Sequence, residues 1–254
     1  MGLRDTTPEA AAVQTAVHRR LGGGGRFRAA VEISDLTRDW PRAATDRTEA
    51  ATTRAPAHAI AAPLHAEDRM SVEDVFARIR AALLAAGVPH MLTGSFASSF
   101  HGAPRSTQDI DIVIAPDREQ LLALIAEFPE SMYYVSRDAA LDALARHDQF
   151  NVIDLATGWK IDFIIRKQRA FSREEFERRR PADLSGVEMD VASAEDVLLA
   201  KLEWAKRGGS ARQIEDAAGI IRLQGDRLDT AYVQRWVAAL GLEEQWRAAE
   251  ERLR

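Results

Sequence analysis

Asp109 and Asp111 stand two residues apart in DIDIVI, interleaved with Ile110, Ile112 and Ile114. On a β-strand, residues i and i+2 share a face with Cα atoms ~6.6 Å apart. The isoleucines then face the core, and both carboxylates face a cleft or solvent. Two like charges at this spacing disfavour each other unless a proton or a cation intervenes. Mg2+ suits such a pair, since it takes oxygen ligands, keeps several waters and is completed by substrate phosphates. A solvated acidic edge strand is the alternative. Upstream, Gly94-Ser95 follows the short strand VPHMLT and opens a brief helix ending near His101-Gly102. Glycine permits the tight turn, and the helix N-terminus with the serine hydroxyl offers donors to an anion such as phosphate. A phosphate cradle and a cation-binding carboxylate pair are therefore expected on adjacent strands.

This combination, an apolar strand, Gly-Ser, a spacer and Asp-apolar-Asp-apolar, resembles the defining motif of the polymerase-β-like nucleotidyltransferase superfamily. The resemblance implies that Gly94 and Ser95 bind a nucleoside triphosphate. It also implies that Asp109 and Asp111 hold Mg2+, two ions in all, for transfer of a nucleoside monophosphate, with a third carboxylate on a neighbouring strand. The segment FNVIDLATGWKIDFII reads as a hairpin turning at Thr157-Gly158, with Asp154 opposite Ile161 and Asp162 opposite Ile153. Asp162 shares a face with Lys160 and Ile164, while Ile161, Phe163 and Ile165 form the apolar face. Asp162 is the third carboxylate in this reading, Lys160 its phosphate or charge partner, and Asp154 a turn residue. Arg105, in the loop before the aspartate strand, is a nucleotide-binding candidate or a surface arginine.

Farther on, Lys201 lies in VLLAKLEWA with Val197, Leu198, Trp204 and Ala205 at i−4, i−3, i+3 and i+4. A solvated lysine rarely has such neighbours. It either snorkels along the surface or points into a site with a compensating anion. The next helix carries Arg212, Gln213, Glu215 and Asp216. KLEWAKRGGSARQIEDAAGI is similar to the C-terminal motif of the AbiEii-type nucleotidyltransferases of abortive-infection and toxin–antitoxin systems. That resemblance, over residues 71–225, implies that Lys201 binds nucleotide phosphate and that Asp216 is a polar or acid/base group. Either Arg207 or Arg212 is the accompanying arginine. It also implies an RNA acceptor such as tRNA, and a cognate antitoxin protein as partner. A small-molecule acceptor, as in antibiotic-modifying relatives, and a catalytically silent nucleotide-binding protein are the competing readings.

The elements that must position these residues fall into three regions, 1–68, 69–192 and 193–254. The first has a helix over Phe27–Trp40 after a flexible break at the tetraglycine Gly22–Gly25, then an Ala/Thr/Arg/Pro-rich linker over Pro41–Pro63. The resemblance does not reach it, and removing residues 1–66 is expected to leave the domain folded. The second begins with a helix capped by Ser71 and Asp74, and alternates strands and helices through a final strand, GVEMDVA. The third reads as four helices, the first capped by Ser193 and Asp196. The expected fold class is α/β (α+β), a mixed-sheet nucleotidyltransferase core with a helical C-terminal subdomain. The locally basic Arg166–Arg180 reads as a solvated helix or an RNA-contacting rim, and His101 as a capping or loop histidine.

Bulk composition agrees. The 254 residues contain no cysteine and carry a net charge of −5, with 46% hydrophobic residues. This excludes thiolate metal sites and cysteine nucleophiles, suits a reducing cytoplasm, and argues against wholesale coating of nucleic acid. No apolar run approaches the ~20 residues of a membrane span. The six histidines lack metal-ligand spacing.

Overall fold

The computed structural model describes residues 8–38, 72–107 and 109–253. The linker over Pro41–Pro63, Trp40 and the Ser71 cap lie outside the described residues. A seven-stranded mixed sheet organises the molecule: β1 (His90–Leu92), β2 (Asp109–Ile114), β3 (Tyr133–Val135), β4 (Gln149–Asp154), β5 (Lys160–Ile165), β6 (Arg180–Leu184) and β7 (Val187–Val191). The strand order is β3-β4-β5-β2-β1-β7-β6. The strands β1 and β2 are antiparallel, whereas β2 and β5 are parallel and adjacent, so the aspartate strand lies between the glycine-serine strand and the strand of the third carboxylate.

Burial follows the alternation in the sequence. Ile110, Ile112, Ile114, Ile161 and Phe163 are fully buried and join one core with Phe76, Ile79, Leu83, Leu121 and Leu124. The last five come from α2 (Val72–Ala85) and α4 (Arg118–Ala126). Helix α4 starts in a complete capping box between Asp117 and Gln120. Helices α3 (Gly94–His101), α7 (Ala194–Gly208) and α8 (Ala211–Gln224) pack together beside β2. Helices α9 (Thr230–Leu240) and α10 (Glu243–Glu251) back them. Ser193 caps α7 by accepting from the Asp196 N–H at 3.2 Å. Among the described residues, no helix is long and apolar enough to cross a membrane.

Helix α1 (Pro8–Arg38) departs from expectation. The tetraglycine is not a flexible break: the chain kinks at Gly22 (φ 65°) and continues helically through Gly23, Gly24 and Gly25. Gly23 lies close against α3: a Cβ there would stand 2.5 Å from the Phe100 ring, which would have to shift. Phe27 is fully buried, its ring 5.2 Å from that of Phe76 and 5.4 Å from that of Phe96. This helix belongs to the core, so the expectation that residues 1–66 are dispensable is corrected.

The hairpin register is also corrected. Asp162 pairs with Asn151 rather than Ile153, because the loop runs from Asp154 to Trp159 instead of turning on two residues. The Asp154 carboxylate accepts the N–H groups of Ala156 and Thr157 at 2.9 and 3.0 Å, which widens the turn. The shift is two residues, so each side chain keeps its face. Helix α5 (Arg137–Arg146) escapes sequence reading because its buried face is only Ala140 and Ala143. The segment over Arg166–Arg180 is helical only in α6 (Ala170–Glu177), and Arg180 already begins the edge strand β6. Its Pro181 is tolerated because an edge strand need not donate on both sides.

Candidate active site

The parallel pairing of β2 with β5 sets Asp111 opposite Asp162 and Asp109 opposite Lys160. All three carboxylates line a cleft of about 270 Å³ with Gly94, Ser95 and Lys201. Gly94 occupies the left-handed region (φ 65°), and a Cβ there would stand 1.9 Å from Asp111 Oδ2. Only glycine lets the turn after β1 close over that carboxylate. The Ser95 N–H donates to the Asp111 carboxylate, and the Thr93 N–H donates to the Asp111 carbonyl at 2.9 Å. Turn and carboxylate strand are therefore one unit.

The acids are crowded. Burial raises the Asp111 carboxyl above the usual carboxylate range, and the charges of Asp162 and Asp109 push the same way, against Lys201. The Lys160 ammonium bridges Asp109 Oδ1 at 3.1 Å and Asp162 Oδ2 at 2.9 Å. These carboxylates hold it above the ordinary lysine value despite its partial burial, which acts the other way. Asp162 Oδ1 is buried with no hydrogen-bond partner. Among the described residues, no three acidic or histidine side chains converge on one metal position, and Lys160 takes two of the carboxylate oxygens. The donor chemistry nevertheless fits a hard divalent cation: carboxylate oxygens only, one of them unpaired, around an acid whose charge its neighbours oppose.

Lys201 is 4% exposed, so it does not snorkel. Its Nζ donates to Asp216 Oδ2 at 2.9 Å. Burial lowers its pKa from the ordinary lysine value, and Asp216 opposes that shift. Arg105 approaches Asp216 from the other side, its Nε 3.0 Å from Oδ1 and 3.1 Å from Oδ2, while its Nη2 donates to the Ser95 hydroxyl. Arg105 and Asp216 thus stand behind the cleft wall, holding Ser95 and Lys201 in place. Arg105, not Arg207 or Arg212, is the arginine joined to Asp216. Arg207 is exposed beside Trp204, and Arg212 is exposed.

Sequence reasoning missed Gln149, Trp204 and Gln213 as cleft residues. Trp204 is 54% exposed, an unusual setting for so large a ring. Gln213 lines the cleft and has a buried Oε1 with no hydrogen-bond partner. Their one available signal was position: Trp204 lies one turn after Lys201, and Gln213 one turn before Asp216. His101 donates no chemistry here, since its Nε2 bonds the Ala192 carbonyl at 2.7 Å and burial drives its pKa down to about 4.

No family model and no curated protein sequence matches this chain. Solved structures similar to it include ANT(2'')-Ia in complex with adenylyl-2''-tobramycin, with a TM-score of 0.46 and 16% identity over 68% of this chain and 97% of that one. An antigenic nucleotidyltransferase-like protein from Paracoccidioides brasiliensis gives a TM-score of 0.43 and 18% identity, over 68% and 90% of the two chains. JHP933 from Helicobacter pylori gives 0.37 and 16%, over 71% and 91%.

Proposed function

We propose that this chain is a Mg2+-dependent nucleotidyltransferase that moves a nucleoside monophosphate from a nucleoside triphosphate to an acceptor hydroxyl. The observation that carries this reading is the junction of Asp109, Asp111 and Asp162 with the Gly94-Ser95 turn in one cleft. Asp109, Asp111 and Asp162 would hold the metal, which when bound supplies charge neutralisation at the phosphates and at the attacking and leaving oxygens. The residues of the chain do the positioning. Gly94 brings backbone donors close to a phosphate, Ser95 presents a hydroxyl fixed by Arg105, and Lys201 supplies a cation fixed by Asp216. The oxygen of Asp162 that lacks a partner is suited to accept the proton of an incoming hydroxyl. RNA is the acceptor favoured by the motif resemblance, and a toxin role in a toxin–antitoxin pair is the corresponding biological reading.

The test incubates the protein with each α-labelled nucleoside triphosphate, Mg2+ and total RNA, alongside Asp109→Ala/Asp111→Ala. Label should pass to RNA only with the wild-type chain, by a factor of 10³ or more over the double variant. Equal transfer by both proteins would sink the catalytic assignment.

A further inference from the structure

A second cavity, of about 210 Å³, opens beside the carboxylate cleft and shares the walls Thr93, Gln149, Ile164, Ala200 and Trp204 with it. Sequence geometry links the two. Along β5, Asp162 and Ile164 share a face, and Arg166 and Lys167 follow directly beyond the strand. At ~3.3 Å per residue this places the cationic end roughly 13 Å from the carboxylates.

The charge in this cavity is unbalanced. Four cations face it, Arg166, Lys167, Arg169 and Arg207, with the carboxyls of Asp148, Glu175 and Glu203. Glu203 is held bidentately by Arg169, with Arg207 a further 3.8 Å away. Asp148 accepts the Gln149 N–H at 2.9 Å. Burial, with Asp196 nearby, pushes Glu175 up to about 8, so its carboxyl is mostly uncharged at neutral pH. Arg166 Nε is buried without a hydrogen-bond partner. Lys167 is partly buried, and desolvation together with Arg207 and Arg169 pulls its pKa below the lysine value. Positive groups crowded this way await an anion. At the junction with the carboxylate cleft stands the exposed face of Trp204, a platform for a flat ring.

We propose that this second cavity is the acceptor subsite, and that it takes a nucleotide unit: a phosphate held by Lys167, Arg166 and Arg207, and a base stacked on Trp204. This rests on the transferase reading and selects an anionic acceptor over a polycationic one such as an aminoglycoside, which the cations would repel. The nucleotide unit has two sources, an RNA strand or a free mononucleotide.

The test measures binding of a short fluorescein-labelled single-stranded RNA, and of AMP as competitor, to wild-type protein, Lys167→Ala/Arg207→Ala, and the charge-keeping Lys167→Arg/Arg207→Lys. Both side chains are partly solvent-exposed, and matching melting curves establish that the variants fold. The alanine pair should weaken RNA binding about tenfold and flatten the plot of log K against log salt by about 0.7, the value for one single-strand phosphate contact. The charge-keeping pair should bind like wild type. Competition by AMP at comparable affinity identifies a mononucleotide source, and its absence an RNA strand. An alanine pair that binds RNA with unchanged affinity and slope overturns the subsite. So does tobramycin competing with RNA equally well in wild type and alanine pair. Mg2+-dependent triphosphate binding, followed in the same samples, reports separately on the carboxylate cleft, so failure of this subsite and failure of the transferase reading are told apart.

Discussion

At Asp216 a single carboxylate faces Lys201 at 2.9 Å and Arg105 at 3.0 Å, with only 8% of its side chain exposed. Removing it leaves two cations without their counter-charge, one of them deeply buried. Asp216→Ala is therefore expected to destabilise the fold by about 3 kcal/mol, in the range for breaking a buried pair. Asp216→Asn should lose less, because the amide oxygen still accepts from Lys201. A urea titration of both variants checks the order, and equal midpoints for wild type and the alanine variant would refute the hub. The period-two alternation made Asp109, Asp111 and Asp162 legible in the sequence, since one face of each strand was plainly apolar. The hub was legible only as separate charged residues, because Arg105 and Asp216 are 111 positions apart and nothing local links them. Trp204 read as one of four apolar neighbours of Lys201, and periodicity alone does not reveal that its ring faces outward.

Among the elements, α6 carries the clearest pH signature. Glu175 has a pKa near 8 in the folded chain because burial, then Asp196, disfavours its charge. The unfolded chain releases this proton near pH 4.5. Between those values the folded state binds the extra proton, so stability falls as pH rises and levels off above 8. Glu175→Gln keeps a neutral side chain at every pH. Its melting temperature should match wild type near pH 4.5 and exceed it increasingly toward pH 8.5, and a gap that stays constant with pH would disprove the assignment. The sequence showed only a run of mixed charge over Arg166–Arg180. The structure spends much of that charge internally, Arg169 on Glu203, Arg178 on Asp196 and Glu195, and Arg179 on Asp190. Which cations remain for a ligand was decided by tertiary pairing, beyond the reach of local pattern. Strand β6 escaped for a similar reason: with Pro181 and one fully buried residue, Leu184, it forms by pairing with β7 rather than by its own pattern.

For the whole molecule, α1 ties the core to the site. Phe27 fills the space between Phe76 and Phe96, and the Ser34 hydroxyl accepts the Thr107 N–H at 3.0 Å, steadying the loop that carries Arg105. Phe27→Ala should destabilise by about 3–4 kcal/mol. Removing residues 1–38 exposes the whole patch and should abolish cooperative unfolding, followed by circular dichroism. A truncated chain melting sharply at the full-length temperature would show α1 to be peripheral. The mixed α/β layout was legible because strong strands alternate with amphipathic helices. The place of α1 was not, since four successive glycines suggest a break, and the kink at Gly22 and the approach of Gly23 to Phe100 have no local signature.

The central claim is that the three carboxylates seat a divalent cation with a nucleoside triphosphate. Calorimetric titration of each triphosphate, with Mg2+ and with EDTA, tests it without any acceptor. Wild type should bind at least one triphosphate tenfold or more tightly with Mg2+ than with EDTA, and Asp109→Ala/Asp111→Ala should lose that difference while keeping its melting curve. A double variant that retains the full Mg2+ enhancement would contradict the account.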